Sequence, residues 1–256
     1  MTPPVMRHRV DGPEDAPVLV LQSSIGTTTE MWRPQIEALA ASWRVVRTDW
    51  PGHGGSPDPD APIRMGDLAD GILAVLDELG VERASYCGLS LGGMAGMWLA
   101  SHAPERVERL VLCCTSALMG HEVAEQRVRT VRSEGMGSVV DGIVGRWFTT
   151  SFADERPDVI AEYRAMVEAV SPVGYTACYE AIGEWDGREL LDRIRAPTLV
   201  IAGAQDPATP VEHAELIHRG IAGSRLRVFD PAAHLASVEE AEGVTRAIAG
   251  HLEGES

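Results

Sequence analysis

The chain has 256 residues, 45% of them hydrophobic, and 38 acidic against 22 basic residues give a formal net charge of −16. This length suits one large domain with a substantial core, and so negative a surface disfavours nucleic acid and anionic membranes as partners. All the basic residues in that count are arginine, because the sequence contains no lysine. A lysine-dependent phosphate loop and Schiff-base or pyridoxal chemistry on a lysine amine are therefore excluded.

Several other kinds of site lack their residue patterns. The four cysteines have no metal-binding spacing and are interpreted as small buried hydrophobic residues. The H-E-x-x-H pattern, calcium-loop spacing and a glycine-rich dinucleotide motif after a strand are all absent. We therefore expect no metal and no cofactor. Since no signal-peptide pattern or membrane-spanning apolar run is found, a cytoplasmic location without membrane contact is expected.

The first half of the chain alternates apolar runs with helical patterns. It begins with an antiparallel strand and turn in MRHRVDGPEDAPVLVL. The predicted elements that follow are a strand over 17–23, a helix over 31–42, a strand over 43–49, a helix over 65–80, the strand ASYCG, the helix LGGMAGMWLASHA and a strand over 107–115. Uninterrupted apolar strands are typical of a parallel sheet that is covered on both faces.

Residues 119–187 interrupt this alternation with a series of short helical patterns and no convincing strand. Strand, helix, strand and helix then resume over 197–203, 212–221, 225–230 and 238–252. The whole pattern predicts an α/β fold with a mostly parallel, doubly wound sheet. Residues 1–118 and 188–256 are expected to form the core, and 119–187 an inserted helical cap, or lid, over the strand ends.

The stretch GLSLGG places Ser90 between a predicted strand and a predicted helix. A G-x-S-x-G pattern in this context is typical of a nucleophile elbow, a sharp turn that exposes the serine hydroxyl. Gly88 and Gly92 stand two residues before and two residues after the serine, where the turn leaves no room for bulk. The alternative is an ordinary tight turn between strand and helix.

A nucleophilic serine needs a histidine base and a carboxylate that orients it, in the chain order serine, acid, histidine for this motif. Asp206 follows the strand over 197–203, and His234 follows the strand over 225–230. Because the carboxyl ends of parallel strands meet at one edge of a sheet, these three residues are expected to converge there. For Asp206 the alternative is a turn former before Pro207.

The remaining histidines and Asp230 are the alternatives to the residues of this triad. His53 lies on a glycine turn and is interpreted as structural, whereas His213 and His218 lie on a predicted helix and are expected to be solvated. Asp230 precedes His234 too closely in the chain to orient its imidazole, and it is interpreted as a turn residue. The other histidines have no partnered context.

An acyl-transfer site also needs N–H donors for the negative oxygen of its tetrahedral intermediate. One is expected from Leu91, the residue after the serine, and the second from Ile25 in the loop SSIGTTTEMW.

These motifs make the chain resemble the α/β hydrolases over essentially its full length. The segments DWPGHGGS, GLSLGG, GAQDPATP and AAHLASVE carry that resemblance. Within the superfamily the chain is similar to the 3-oxoadipate enol-lactonases in SSIGTTTEMWRPQ, in the segment around the elbow and in the lid segment VRSEGM…VGRWFT. The chain departs from the family pattern in two places. Pro51 stands where the family often has arginine. The chain also starts about one strand early, which predicts a sheet without the first edge strand.

The resemblance implies hydrolysis of an enol-lactone to 3-oxoadipate, a late step of aromatic-acid breakdown, through an acyl-enzyme on Ser90. The substrate is then a small lactone or ester with a carboxylate, which must meet arginine, histidine, an indole N–H or a backbone N–H. The lid offers four arginines (Arg127, Arg129, Arg132 and Arg146), each also readable as a solvated helix residue. Arg132, Trp147 and Trp32 are the expected substrate-binding residues.

The same fold also performs other functions, which these residues separate only in part. Epoxide hydrolases and haloalkane dehalogenases need an aspartate at the elbow, so Ser90 excludes both. A general carboxylesterase, a cofactor-free perhydrolase, a lyase and a ligand-binding receptor all keep the same three residues. The sequence also leaves open whether the chain forms a homo-oligomer.

Overall fold

Seven strands form one sheet in the computed structural model, which describes residues 2–254. The strands are β1 (His8–Asp11), β2 (Val18–Gln22), β3 (Arg44–Thr48), β4 (Ala84–Leu89), β5 (Val107–Cys113), β6 (Thr198–Gly203) and β7 (Arg225–Phe229). Their order across the sheet is β1-β3-β2-β4-β5-β6-β7. Only β1 is antiparallel, at the edge beside β3, and all other neighbours are parallel. The predicted α/β class with a mostly parallel sheet is confirmed.

The inner strands of the sheet are mostly apolar because both faces of the sheet are covered there. Every residue of β4 and β6 is buried, and β2 and β5 are buried over most of their length. The covering helices are α1 (Arg33–Leu39), α2 (Met65–Glu78), α3 (Leu91–His102), α9 (Val211–Gly220), α10 (Ala236–Glu239) and α11 (Ala241–Glu253). The predicted helix over 238–252 is therefore two helices, α10 and α11.

The chain reverses its winding direction between β2 and β4, which are neighbours in the centre of the sheet. From β2 it continues to β3 on one side, and from β4 it continues to β5 on the other side. Open α/β sheets form their ligand crevices at such a switch point, outside the carboxyl ends of the strands. The loop after β2 and the turn after β4 therefore lie side by side at the place where a site is expected.

Five helices occupy the segment between β5 and β6. They are α4 (His121–Glu134), α5 (Val140–Val144), α6 (Thr150–Glu155), α7 (Pro157–Glu168) and α8 (Pro172–Gly183). The ends of the segment meet, because Leu118 and Asp186 form an isolated antiparallel bridge and the N–H of Gly187 donates to the carbonyl of Ala117. We call residues 119–187 the lid; that it forms a separate cap domain stays a prediction.

One helical pattern of the lid is wrong in its length. The sequence SVVDGIVGRWF (138–148) is typical of one helix, but α5 ends at Val144 and the separate helix α6 begins at Thr150. Thr149 has extended backbone angles, and its hydroxyl accepts a hydrogen bond from the N–H of Phe152. This is the geometry of an N-cap, so the chain starts a new helix there instead of prolonging the old one.

Among the residues that the structure describes, no helix combines the length and the apolar character needed to cross a bilayer.

Candidate active site

Ser90 lies on the turn between β4 and α3 with φ 57° and ψ −115°. A non-glycine residue in this region is uncommon and costs free energy unless its surroundings hold it there. The flanking glycines are needed for close approach: a Cβ on Gly88 would run into the backbone of Gly92, and one on Gly92 would run into the carbonyl of Gln22. The turn therefore has the geometry that the G-x-S-x-G pattern predicts.

Two hydrogen bonds hold this strained turn from the side of β5. The N–H of Ser90 donates to the carbonyl of Cys113 at 3.0 Å, and the hydroxyl of Thr115 donates to the carbonyl of Ser90 at 2.7 Å. Cys114, between these two partners, also has a positive φ, 40°. The ends of two neighbouring strands thus fix the serine backbone, so its side chain does not depend on a flexible loop for its direction.

Asp206 and His234 form a buried pair after the ends of β6 and β7. The Nδ1 of His234 lies 2.8 Å from Oδ2 of Asp206, and both residues are less than 5% exposed. Oδ2 also accepts a bond of 2.6 Å from the Thr209 hydroxyl, while Oδ1 accepts from the backbone N–H groups of Ala208 and Thr209. With Nδ1 held by a carboxylate, the proton sits on Nδ1 and Nε2 is left as the basic nitrogen.

Burial by itself raises the pKa of a carboxyl group, and Asp206 is well buried. Opposing it, the charge of His234 and the hydrogen bonds from His234 and Thr209 hold the pKa of Asp206 below its ordinary value. The carboxylate is therefore ionised at neutral pH, where it can orient the imidazole and stabilise its protonated form.

Ser90 and His234 line the same cavity of 260 Å³ below the lid. The sheet side of this cavity is formed by residues that follow the strand ends. The lid side is formed by residues of α4, α5 and α8, of the segment before α4 and of the turn after α5. Because Nδ1 of His234 is engaged by Asp206, the nitrogen free to take a proton from Ser90 is Nε2.

The loop after β2 supplies a further wall of the cavity. Ile25 lines it, and Leu91 is the first residue of α3, where a helix has unsatisfied N–H groups. Within residues 2–254, neither the Ile25 nor the Leu91 N–H donates a hydrogen bond to the protein. Both predicted oxyanion donors are therefore unpaired groups at the edge of the site.

His53 fixes the position of the loop that carries Ile25. Its Nε2 accepts a 3.0 Å hydrogen bond from the N–H of Gly26, and its Nδ1 donates to the carbonyl of Pro51 at 2.9 Å. Complete burial lowers the pKa of His53 to about 4, so the ring is neutral and can accept this bond. The interpretation of His53 as structural fits these contacts.

Three comparisons with known proteins bear on this geometry. A family model described as the alpha/beta hydrolase fold matches residues 17–241. The chain is 37% identical to 3-oxoadipate enol-lactonase 2 of Acinetobacter baylyi over 95% of its own length and 91% of the relative. Its structure matches that of the enol-lactonase from Burkholderia xenovorans with a TM-score of 0.95 and 36% identity, covering 97% and 96% of the two chains. A hydrolase from Pseudomonas aeruginosa matches with a TM-score of 0.93 and 42% identity, covering 96% and 94%.

The chain belongs to the α/β-hydrolase superfamily and, within it, to the 3-oxoadipate enol-lactonase family.

The lid wall of this hydrolase's cavity is mostly apolar, with a few polar groups. Trp147 lines it as expected, is 4% exposed and packs edge-on against Tyr163. Arg146 is the one arginine among the lining residues that the structure describes, and none of those residues carries a carboxylate. In a chain with an excess of acidic residues, this absence of carboxylates makes the cavity a favourable place for an anion.

Two of the expected substrate-binding residues lie elsewhere. Arg132 is exposed on the outer side of α4, where its guanidinium pairs with Glu180 at 2.8 Å. Trp32 is fully buried in the core and does not line the cavity. The expectation for both is corrected: helical spacing turns Arg132 away from the cavity, and the short turn before α1 packs Trp32 into the interior.

Four residues near the site were not assigned from the sequence. Tyr175 and Tyr179, one turn apart on α8, have stacked rings at the cavity wall. Thr209 binds Asp206, and Arg146 takes the place expected for Arg132. The spacing of the two tyrosines on one helix face was a usable signal, whereas Arg146 is one of four lid arginines that the pattern cannot rank.

No group of three or more histidine, cysteine, aspartate or glutamate side chains with metal-binding geometry occurs in the described part of the chain. The four cysteines are free and buried, with Sγ of Cys87 and Sγ of Cys113 4.0 Å apart on neighbouring strands.

Proposed function

We propose that this hydrolase opens 3-oxoadipate enol-lactone to 3-oxoadipate through an acyl-enzyme. Ser90 is the nucleophile, His234 the general base and Asp206 the carboxylate that orients the base. The observation that carries the proposal is a strained serine that shares one cavity with a histidine whose Nδ1 bonds a buried aspartate. The names of the similar proteins support a lactone as substrate.

The reaction proceeds in two halves. The Oγ of Ser90 attacks the lactone carbonyl carbon while Nε2 of His234 takes the hydroxyl proton. The ring C–O bond then breaks and the leaving enolate takes up the proton from Nε2 of His234, which gives the ketone and leaves the imidazole neutral again. Water attacks the ester carbonyl with His234 again as base, which releases the carboxylic acid and restores Ser90. The N–H groups of Ile25 and Leu91 stabilise the oxyanion in both halves.

An enolate is a better leaving group than an alkoxide, so protonation of the leaving oxygen is less demanding here than in an ordinary ester. The barrier then lies mainly in forming the tetrahedral intermediates, which is the step that the oxyanion donors and the base serve. This chemistry requires no metal and no cofactor.

Arg146 binds the carboxylate of the substrate. Its Nε donates to the carbonyl of Gly142 at 2.9 Å, which directs the guanidinium and leaves both terminal nitrogens for a ligand. Among residues 2–254 no carboxylate forms an ion pair with it. An arginine fork held in this way suits the planar, bidentate recognition of a carboxylate.

Arg127 adds positive charge behind the tyrosines of the lid wall. Its guanidinium lies 6.0 Å from the centre of the Tyr179 ring, and its Nη1 is buried without a hydrogen-bond partner. Burial raises the pKa of Tyr175 well above the usual range, although the charges of Arg127 and Arg146 oppose this rise. The Tyr175 hydroxyl therefore keeps its proton and can serve as a neutral hydrogen-bond donor to the same anion.

The substrate assignment places the enzyme late in the breakdown of aromatic acids. It is tested by comparing kcat/KM for 3-oxoadipate enol-lactone with kcat/KM for neutral aryl acetates, using purified protein and Ser90→Ala as the background. The lactone is expected to be the better substrate, because only it engages Arg146. Equal kcat/KM values for the two substrates would mean that the protein is a general esterase with the same triad.

A further inference from the structure

The residues directly before and after His234 both donate their backbone N–H groups. One of these N–H groups bonds to the lid, and the other bonds to a side chain that itself bonds to the lid. Leu235, directly after the histidine, donates its N–H to the carbonyl of Trp147 at 2.9 Å. Ala233, directly before it, donates its N–H to Oε2 of Glu239 at 2.5 Å. The loop that carries His234 is thus held by hydrogen bonds from the residue before the histidine and from the residue after it.

Glu239, in the short helix α10, reaches the lid with its other oxygen. Oε1 accepts hydrogen bonds of 2.7 Å from the N–H and from the hydroxyl of Thr149. One carboxylate therefore joins Ala233 of the histidine loop to Thr149 of the lid, two residues after the cavity residue Trp147. We call these three hydrogen bonds the Glu239 bridge.

The chemistry of the bridge requires a carboxylate. All three partners are donors, and the described residues provide no cation that forms an ion pair with Glu239. Hydrogen bonds to an ionised acceptor are shorter and about twice as strong as neutral ones. A glutamine has a single acceptor oxygen, and its NH₂ group would face an N–H donor, so it cannot replace the full set.

On the opposite side the histidine loop is bound to the core. Gln205, the residue before Asp206, donates its N–H to the carbonyl of Ala232 at 2.8 Å. The loop thus lies between the strand end that carries the aspartate and the lid segment that carries Trp147. The hydrogen bond from Gln205 connects the histidine loop only to the core. The Glu239 bridge connects the same loop to the lid, so the lid also determines the position of His234.

We propose that Glu239 is a positioning residue that couples the placement of His234 to lid residues 147–149. This inference rests on the proposed function only in taking His234 as the base. A misplacement of about 1 Å in a catalytic group can cost a factor of about 100 in rate, so loss of the bridge should lower the rate without removing any group from the site.

The direct test compares Glu239→Ala and Glu239→Gln with wild type and with Glu242→Ala. The control also removes one carboxylate from the same region, but Glu242 is exposed and pairs only with Arg246. Two quantities are measured well below the unfolding temperature: the rate at which a neutral fluorophosphonate labels Ser90, and the low-field proton resonance of the His234 Nδ1–H. Labelling needs the base but no substrate carboxylate.

Glu239→Ala is expected to slow labelling by about 10- to 100-fold and to shift or broaden the imidazole resonance. Glu239→Gln should lie between Ala and wild type, and Glu242→Ala should match wild type. If both Glu239 variants label at the wild-type rate with an unchanged resonance and only a lower Tm, the residue is merely structural and the inference is overturned.

The lid end of the bridge is tested separately with Thr149→Val, which removes the hydroxyl donor, and Thr149→Ser, which keeps it. Valine should slow labelling and serine should restore the rate. In a Glu239→Ala background, the Thr149→Val change should lower the labelling rate by less than it does in wild type, because the acceptor is already absent and only the N-cap of α6 is still lost. Additive effects of the two changes would contradict a shared bridge.

These readouts separate the inference from the proposed function. If the Glu239 variants behave as expected but the enol-lactone is not hydrolysed, the substrate assignment fails and the coupling stands. If Ser90→Ala is still labelled at the same rate, the nucleophile assignment fails first.

Discussion

The two walls of the active-site cavity are built in different ways. The sheet wall is set by backbone: a serine at φ 57°, glycines without room for a Cβ, and loops held by hydrogen bonds between strand ends. The lid wall is formed by side chains that project from α8 and from the turn after α5, chiefly Arg146, Trp147, Tyr175 and Tyr179. The sheet wall therefore tolerates little change, whereas the lid wall can vary residue by residue.

This difference assigns separate tasks to the two walls. The groups proposed to make and break bonds need fixed distances and angles, and they lie where the backbone is held from several sides. The groups that select a substrate need only complementary charge and shape, so they can lie on helices inserted between two strands. Substitutions on the sheet wall should therefore abolish turnover, and those on the lid wall should change the choice of substrate.

The largest effect is expected from Ser90→Ala, which removes the nucleophile from the sheet wall. Loss of a catalytic serine lowers kcat by about a millionfold in an enzyme of this mechanism, with a residue of activity left by the oxyanion donors. The measurement is kcat for the enol-lactone, with circular dichroism to show that the fold is kept. A variant that retains a substantial part of the wild-type kcat would remove Ser90 from the mechanism.

The next largest effect is expected from Asp206→Asn. The neutral amide cannot hold the imidazole with its proton on Nδ1 as a carboxylate does, so kcat should fall by about 10⁴-fold. Asp230→Asn is the matched control, since Asp230 is exposed and lies four residues before the same histidine. Comparable losses in the two variants would mean that the aspartate partner has been misassigned.

Much of the sheet wall was predictable from sequence, because its signals are local. Ser90, Asp206 and His234 each come at or shortly after the end of a predicted strand, and parallel strands bring their carboxyl ends to one edge. The lid wall was not predictable in the same way. Arg132 lies on α4 and Arg146 lies in the turn after α5, and which of them reaches the cavity depends on how these two segments pack against the core.

The free energy of unfolding should also depend on pH through His53, which lies on the side of the sheet wall and not in the lid wall. Because its pKa is lowered to about 4 in the folded protein, the unfolded chain binds a proton at a higher pH than the folded one does. Stability is therefore expected to fall as the pH drops from about 6.5 towards about 4, by about 2 kcal/mol between pH 7 and pH 5.

Urea unfolding of wild type and His53→Gln at both pH values tests this expectation. Glutamine can keep an acceptor for the Gly26 N–H but does not titrate, so its free energy of unfolding should lose about 2 kcal/mol less on acidification. His251, whose pKa is also lowered by burial, is present in both proteins and cancels in the difference. Equal pH dependence in the two proteins would exclude His53 as the titrating group.

The smallest effect is expected on the lid wall, from Arg146→Met. Methionine keeps most of the side-chain length but removes the charge, so kcat/KM for the enol-lactone should fall by about tenfold, in keeping with the loss of one charged hydrogen-bond partner. The value for a neutral aryl acetate should stay near wild type, because that substrate has no carboxylate to bind.

Arg132→Met is the matched control for this last prediction, because it makes the same chemical change on the outer side of the lid, where the guanidinium pairs with Glu180. It should leave both substrates unaffected. The ratio of the two kcat/KM values is therefore the quantity that distinguishes the walls: it should move for Arg146 and stay fixed for Asp206→Asn, which lowers turnover of both substrates alike. If Arg132→Met moved the ratio and Arg146→Met did not, the carboxylate would enter from the outer groove, and substrate choice would not be made by the lid wall of this cavity.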